Sequence, residues 1–373
     1  MSTLRLDFKV VTPVFCAGAD QNGPAAIRPF SIRGALRWFY RALDANFAAH
    51  EGKYFGSTAG GQGQASPFTL FVEPRAGGTW PSQSYRQELR VQDAMSRGEC
   101  YLGYSLYMGD KGRDFEHSDR QGKDEKRRQA VPPGTCFRVF VSPTWPVQKD
   151  HDNHTFKAWS ACLWLFAHLG GLGARARRGF GSLQLVGWTA EHPWPTLPTI
   201  EARDVQGWHQ QFRAGFDQIR EWFDRPVPSE TGHQVLPKDL TPLVSMTGFA
   251  SWQEALRDIG NRFRDFRLDP HVRPHIDKVA SFGLPLASRS RSDTLVPVSH
   301  AALAISDRSA SRLWIRVVRV GDLYHPMVWN CDGPLLPFGH NKLRWKSGQH
   351  VTAPSGLGLI PQFLAKLRQE GYV

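Results

Sequence analysis

The chain has 373 residues, 41% hydrophobic and 12% aromatic with thirteen tryptophans. That is too much apolar surface for a disordered chain and enough length for two cores. A formal charge of +12 and a pI near 9.7 call for a polyanionic partner, nucleic acid or anionic membrane. The longest largely apolar stretch, Ala158 to Leu169, falls short of the roughly 20 residues of a spanning helix, which argues against membrane. Met1 to Val10 alternates charged with apolar residues instead of forming a secretory signal, so a soluble, cytoplasmic chain is expected. Cys16, Cys100, Cys136, Cys162 and Cys331 are odd in number and form no CxxC pair; they read as buried reduced thiols, not a disulfide framework or zinc knuckle.

Leu4, Leu6, Phe8 and Val10 alternate with Arg5, Asp7 and Lys9, the period of a strand with one buried face. After a turn-rich stretch, Ser31 stands as the expected N-cap of a helix running to about Ala49. Its apolar face carries Ile32, Leu36, Phe39 and Leu43, and another face carries Arg33, Arg37 and Arg41, four residues apart. A glycine-rich segment, Gly56 to Gly63, precedes a strand over Pro67 to Val72. The stretch Asp110 to Gln129 mixes both charges densely and reads as a solvated loop whose basic end, Lys126 to Arg128, could reach RNA. A strand over Thr135 to Val141, a buried helix over Thr155 to Leu169 and a strand from Leu183 follow, completing the order of a ferredoxin-like βαββαβ unit.

His192 to Pro198 holds three prolines in seven residues and is the expected linker, dividing the chain into domains 1–195 and 196–373. Beyond it, Val205, Trp208, Phe212 and Phe216 recur at helical spacing, as do Trp252, Leu256, Ile259 and Phe263. Leu313 to Val320 and Leu323 to Trp329 form a hairpin around Gly321-Asp322, and a short helix near Gln362 to Glu370 ends the chain. The fold class expected is α+β, with two ferredoxin-like (RRM-like) domains, the second less directly patterned than the first.

The most informative segment is Gly170-Gly171-Leu172-Gly173-Ala174-Arg175-Ala176-Arg177-Arg178-Gly179-Phe180-Gly181-Ser182. Glycines permit positive φ and close approach to the main chain, and three arginines among them make a phosphate cradle. It is not a Walker loop, because no GxxxxGK[ST] occurs and it follows a helix instead of opening one. The second constellation is Ile27-Arg28-Pro29-Phe30-Ser31-Ile32-Arg33-Gly34-Ala35-Leu36-Arg37-Trp38-Phe39-Tyr40-Arg41, where arginines four apart can follow successive phosphates from a helix N-terminus.

These two segments, together with Thr12-Pro13-Val14-Phe15, resemble the RAMP superfamily, and within it the first-subunit family of the Cmr complex, the type III-B CRISPR effector. Phe282-Gly283-Leu284-Pro285 and Arg308-Ser309-Ala310-Ser311 resemble that family's C-terminal part. The resemblance implies two ferredoxin-like domains, a glycine-rich loop before the last strand of the first, and a place among other RAMP subunits of an antiviral ribonucleoprotein. It further implies a position at the head of the complex near the guide RNA 3′ end, contact with guide or target RNA, and help in target capture. Cleavage would belong to other subunits, so no catalytic residue, metal or cofactor is expected here. Carried over residue by residue, the RNA-contacting positions are Arg28, Ser31, Arg33, Arg37 and Arg41 on the helix and Gly173, Arg175, Arg177, Arg178, Gly179 and Gly181 on the loop.

The rival reading is a RAMP endoribonuclease acting on guide or target RNA, with Asp20 orienting a ribose hydroxyl. Turn formation is the more ordinary use of a loop aspartate. The pairs His151 with His154 and His271 with His275 have spacings a metal could use, but both lie in irregular sequence. A third reading is an assembly protein anchored through tryptophans such as Trp38 or Trp345.

Overall fold

Leu4, Leu6, Phe8 and Val10 are buried on one face of β1 (Leu4–Val10), as their alternation requires. The computed structural model describes residues 2–20, 23–58, 63–75, 77–104, 106, 128–144, 153–223, 232–288, 293–298, 308–336 and 340–373. Of the charged insert Asp110 to Gln129, residues 110–127 therefore lie outside the described residues.

β1 is an inner strand of a four-stranded antiparallel sheet, flanked by β3 (Cys136–Pro143) and β4 (Leu183–Ala190), with β2 (Phe68–Pro74) beyond β3. Phe8 lies opposite Phe137 with their rings stacked 5.2 Å apart. The buried sides of α1 (Pro29–Leu43) and α4 (His154–Leu169) join the same core. Chain order β1-α1-β2-β3-α4-β4 with spatial order β2-β3-β1-β4 leaves the face bearing Arg5 and Lys9 opposite the helices.

Helix α1 departs from expectation at both ends. It begins at Pro29 and not after Ser31: proline presets φ and has no N–H to satisfy, so Arg28 occupies the cap position with no side-chain bond. Ser31 instead sits in the first turn with its Oγ 3.3 Å from Cys16 Sγ. The helix stops at Leu43, short of Ala49, because the Asp44 carboxylate takes the Tyr40 hydroxyl and the Asn46 N–H at 2.8 Å, a local alternative to helical pairing. A separate helix, α2 (Phe47–Phe55), follows.

In the second half, β8 (Leu313–Val320) and β9 (Leu323–Asn330) form the expected hairpin, with β5 (Leu243–Val244) on the far side of β9. Val244 and Val373 exchange backbone hydrogen bonds of 2.8 and 3.0 Å, so the end of the chain runs beside β5. Between these lie α6 (Trp252–Leu268), opened by a Ser251–Glu254 capping box, and α7 (Ile360–Gln369). A further antiparallel sheet orders β11 (His350–Thr352), β10 (Lys342–Trp345), β7 (Asp293–Pro297) and β6 (Leu286–Ser288).

The cores interleave across the expected boundary at 195/196. Trp194 and Leu197 of the proline-rich stretch are buried, with the Trp194 ring 4.9 Å from Phe68 and 4.8 Å from Phe156. Prolines break secondary structure there, but tryptophan and leucine still bury, so the linker is a packed strap. Helix α5 (Val205–Arg220), on the second-domain side of that boundary, joins the first core through Trp208, Phe212 and Phe216, with Phe212 5.4 Å from Trp164. In the opposite sense, α3 (Gly98–Leu102) packs on α6, where a Cβ on Gly98 would stand 2.3 Å from Arg257 O and Asn261 N. All five cysteines are free, four buried and Cys136 half-buried.

Candidate RNA interface

Two glycines set the path of the arginine-rich loop. Gly173, at φ +80°, would put a Cβ 2.4 Å from Phe15 O, and Gly181, at φ +67°, would put one 1.9 Å from Leu172 O. No L side chain fits at either position. The loop can therefore lie flat on Thr12-Pro13-Val14-Phe15: Gly181 N–H donates to Pro13 O at 2.9 Å, Ala174 N–H to Phe15 O at 2.9 Å, and Thr12 Oγ1 to Gly179 O at 2.7 Å. Those same residues continue into the base of α1, because Ala26 N–H donates to Cys16 O at 2.8 Å, Ser31 meets Cys16, and Arg28 donates to Ala17 O. Segment 15–17 thus seats the glycine-rich loop and the α1 N-terminus side by side, with Gly173 and Gly34 exposed.

The seven arginines assigned to RNA meet different fates. Arg28 is exposed and Arg33 half-buried, and neither has a carboxylate partner among the described residues. Burial and repulsion from Arg37 pull the Arg33 guanidinium below its ordinary range. Arg37 and Arg41 both close on Glu51, through Nε contacts of 2.6 Å each. Burial would raise the Glu51 carboxyl, but hydrogen bonds from Arg41 and Arg37 outweigh it and hold it below the usual carboxylate range. Two of the three charges in the row are thereby compensated by one buried acid.

On the loop, Arg177 and Arg178 turn away from solvent toward the second half. Arg177 donates to Gln234 Oε1 at 2.6 Å and to Ser311 O, and its guanidinium lies 4.4 Å from the Trp314 ring and 5.1 Å from Trp38. Arg178 donates to Phe282 O and lies 4.8 Å over Phe263. Burial, reinforced by Arg267 and Arg175, lowers Arg178 to about 9, which still leaves it cationic at neutral pH. Their carbonyl partners belong to the two C-terminal motifs, which themselves pair as Leu284 with Ser309. Arg178 also forms a parallel bridge with Ile315 of β8, and Val317 N–H donates to Ser182 Oγ at 3.2 Å. All the resembling segments converge here, and the loop is the joint between the two halves. Arg175, at φ +63°, keeps a buried Nε without a hydrogen-bond partner among the described residues.

Residues that sequence reading passed over complete the surface. A pocket of about 620 Å³ opens beside α1, lined by Arg33, Arg37, Ser57, Gln64, Ser66 and Thr144. Its signal was the glycine-rich segment 56–63. Phe30, 80% exposed in the first turn of α1, offers an aromatic face one turn from Arg33. Trp38 packs 5.1 Å from Trp314 and Trp345 is buried, so neither is a free anchor. Asp20 sits on an exposed turn, its carbonyl accepting Gly23 N–H at 3.3 Å. His271 and His275 are exposed, and His151 lies outside the described residues. Among the described residues no group of three or more His, Cys, Asp or Glu side chains could hold a metal, and no helix is long and apolar enough to cross a membrane.

Residues 7–184 match the family model of the RAMP superfamily. Two proteins of Pyrococcus furiosus are similar in sequence. One is CRISPR system Cmr subunit Cmr1-2, 28% identical over 191 residues, which cover 48% of this chain and 92% of that protein. The other is Cmr subunit Cmr1-1, 25% identical over 313 residues, covering 79% and 77%. In fold, the chain resembles the apo crystal structure of Cmr1 from Pyrococcus furiosus, with TM-score 0.54, 19% identity and coverage of 90% and 89%. It also resembles a chain of the cryo-EM structure of the type III-B Cmr-β complex bound to cognate target RNA, with TM-score 0.62, 13% identity and 99% of each chain covered.

Proposed function

We propose that this chain, a RAMP-superfamily protein through residues 7–184, is a Cmr1-type subunit of a type III-B CRISPR effector that holds RNA by its backbone and does not cut it. The observation that carries the reading is the shared seat at residues 15–17. It sets the α1 N-terminus and the glycine-rich loop on one surface with Arg28, Arg33 and Arg175 unneutralised among the described residues. Exposed Gly173 lets a strand approach the main chain, and Phe30 supplies a stacking face. Both halves act as ferredoxin-like units: the second runs β5-α6-β8-β9-α7 and ends beside β5, the same connectivity as the first with its last strand cut to a few residues. The family likeness supports a place at the head of the complex near the guide 3′ end, among other RAMP subunits in the cytoplasm, helping capture target RNA for antiviral defence. Guide and target RNA both suit a surface that reads phosphates.

Filter binding of labelled single-stranded RNA over a range of salt tests this. Each phosphate contact contributes about 0.7 to the log-log salt slope, so replacing Arg28, Arg33 and Arg175 together by alanine should lower its magnitude by about 2. An unchanged slope refutes the interface. RNA incubated with the protein and Mg²⁺ or Mn²⁺ should stay intact; shortened products that vanish in Asp20→Ala would establish the ribonuclease instead.

A further inference from the structure

Helix α3 carries two electrostatic environments. At its N-terminal end Arg257 and Arg97 close on the fully buried Glu99, Arg257 at 2.8 Å, and every charge has its opposite. Two residues on, at Tyr101, arginines gather with no carboxylate partner among the described residues. Arg267 of α6 donates to Tyr101 Oη at 2.7 Å and lies 5.5 Å from the Phe263 ring, while Arg178 approaches that same ring to 4.8 Å. Arg175 arrives from the loop, its carbonyl accepting Arg178 N–H at 2.7 Å. Burial lowers Arg175, as does repulsion from Arg128 and Arg267, with Tyr104 and Tyr101 opposing.

Arg175 Nε, Arg178 Nη1 and Arg267 Nε are all buried with no hydrogen-bond partner among the described residues. Desolvated N–H groups on like-charged neighbours are costly, and an anion between them would satisfy donors and charge together. Guanidinium forks match phosphate geometry, and Tyr104, 37% exposed and acting electrostatically on Arg175, adds a ring for a base. The site is continuous with the first, since Gly173 and Arg175 are two residues apart on one loop.

We propose that Arg175, Arg178 and Arg267, beside Tyr101 and Tyr104, form a second phosphate site that takes a phosphodiester of the RNA strand after it passes Gly173. This rests on the RNA-binding reading for the source of the phosphate, so the test has an arm without RNA. Thermal unfolding of the full chain is followed in inorganic phosphate and in chloride at matched ionic strength, and RNA salt slopes are measured alongside. Arg267→Gln should lose the phosphate-dependent rise in Tm and lower the slope by about 0.7, whereas Arg267→Lys and the remote Arg213→Gln keep both. If Arg267→Gln retains both responses, the site is wrong. Loss of the phosphate response with an unchanged RNA slope would assign the site to free phosphate and overturn the RNA strand as its ligand. A phosphate response in a protein that binds no RNA would overturn the strand assignment together with the function proposed above.

Discussion

The α1 arginine row and the glycine-rich loop read alike in sequence, each a cluster of guanidinium groups suited to phosphates, yet the protein spends their charge differently. On α1 the side chains stay near the surface and a single acid, Glu51, compensates Arg37 and Arg41. On the loop no acid among the described residues is involved: Arg177 and Arg178 reach carbonyls and aromatic faces of the second half, at Ser311, Phe282, Trp314 and Phe263. A cation neutralised by a carboxylate can be released by a small change, whereas one that joins two halves cannot leave without loosening the fold. Arginine content thus reports charge but not its availability, and the two regions should respond differently to mutation.

The largest effect should come from Gly181→Ala, whose Cβ would stand 1.9 Å from Leu172 O at positive φ. Backbone must move, and a loss of about 3 kcal/mol or more is expected in denaturant unfolding. Gly34→Ala on α1, with nothing within 4 Å, should leave stability unreduced; equal losses at both sites would erase the contrast. Next, Arg177→Ala removes two hydrogen bonds and a guanidinium packed on two tryptophan rings, for roughly 2–3 kcal/mol. Because this side chain is a joint, the RNA salt slope should hold while stability falls. A reduced slope in a stable variant would return Arg177 to the interface.

Acid should strain the same joint. Arg316 of β8 donates to Ala167 O at 3.0 Å and Leu183 O at 2.7 Å, on either side of the loop, and His168 is buried beside it. Burial and Arg316 lower His168 to about 3. Between pH 6.5 and 3 the unfolded chain binds a proton there that the folded one does not, so this contribution is complete above 6.5 and declines as pH falls. By pH 5 the loss amounts to about 2 kcal/mol, before most carboxylates titrate. His168→Leu should flatten the fall in stability between pH 6.5 and 5, and an unflattened fall would place its origin elsewhere.

Much of the fold could be read from periodicity, because β1 and α4 in the first half and the hairpin β8–β9 in the second carry patterns that their burial honours. What failed did so for nameable reasons. Ser31 lost the cap to Arg28 because Pro29, with its fixed φ, starts the helix without a cap bond; Asp44 ended α1 by a side-chain bond that no periodicity signals. The proline-rich stretch looked like a linker because proline excludes regular structure, but Trp194 and Leu197 hold it in the core. In the site, the motifs could be quoted before their geometry was known. Which arginines stay available depended on partners over a hundred residues away in sequence, as with Arg178 and Phe282, and no local pattern reports those.

Glu51→Gln, the mildest change, separates the regions most directly. It removes one charge and keeps much of the shape, leaving Arg37 and Arg41 without their neutralising carboxylate. Since those side chains are partly exposed, the stability cost should be about 1 kcal/mol. If α1 faces RNA, two guanidinium groups become free for phosphates, and the salt slope should steepen by up to about 1.4 as affinity at low salt rises. The loop, which pairs with no such acid among the described residues, offers no counterpart to this gain. A variant that binds no more tightly at any salt would mean that Arg37 and Arg41 look away from RNA, leaving Arg28, Arg33 and the loop with its second site as the whole of the grip.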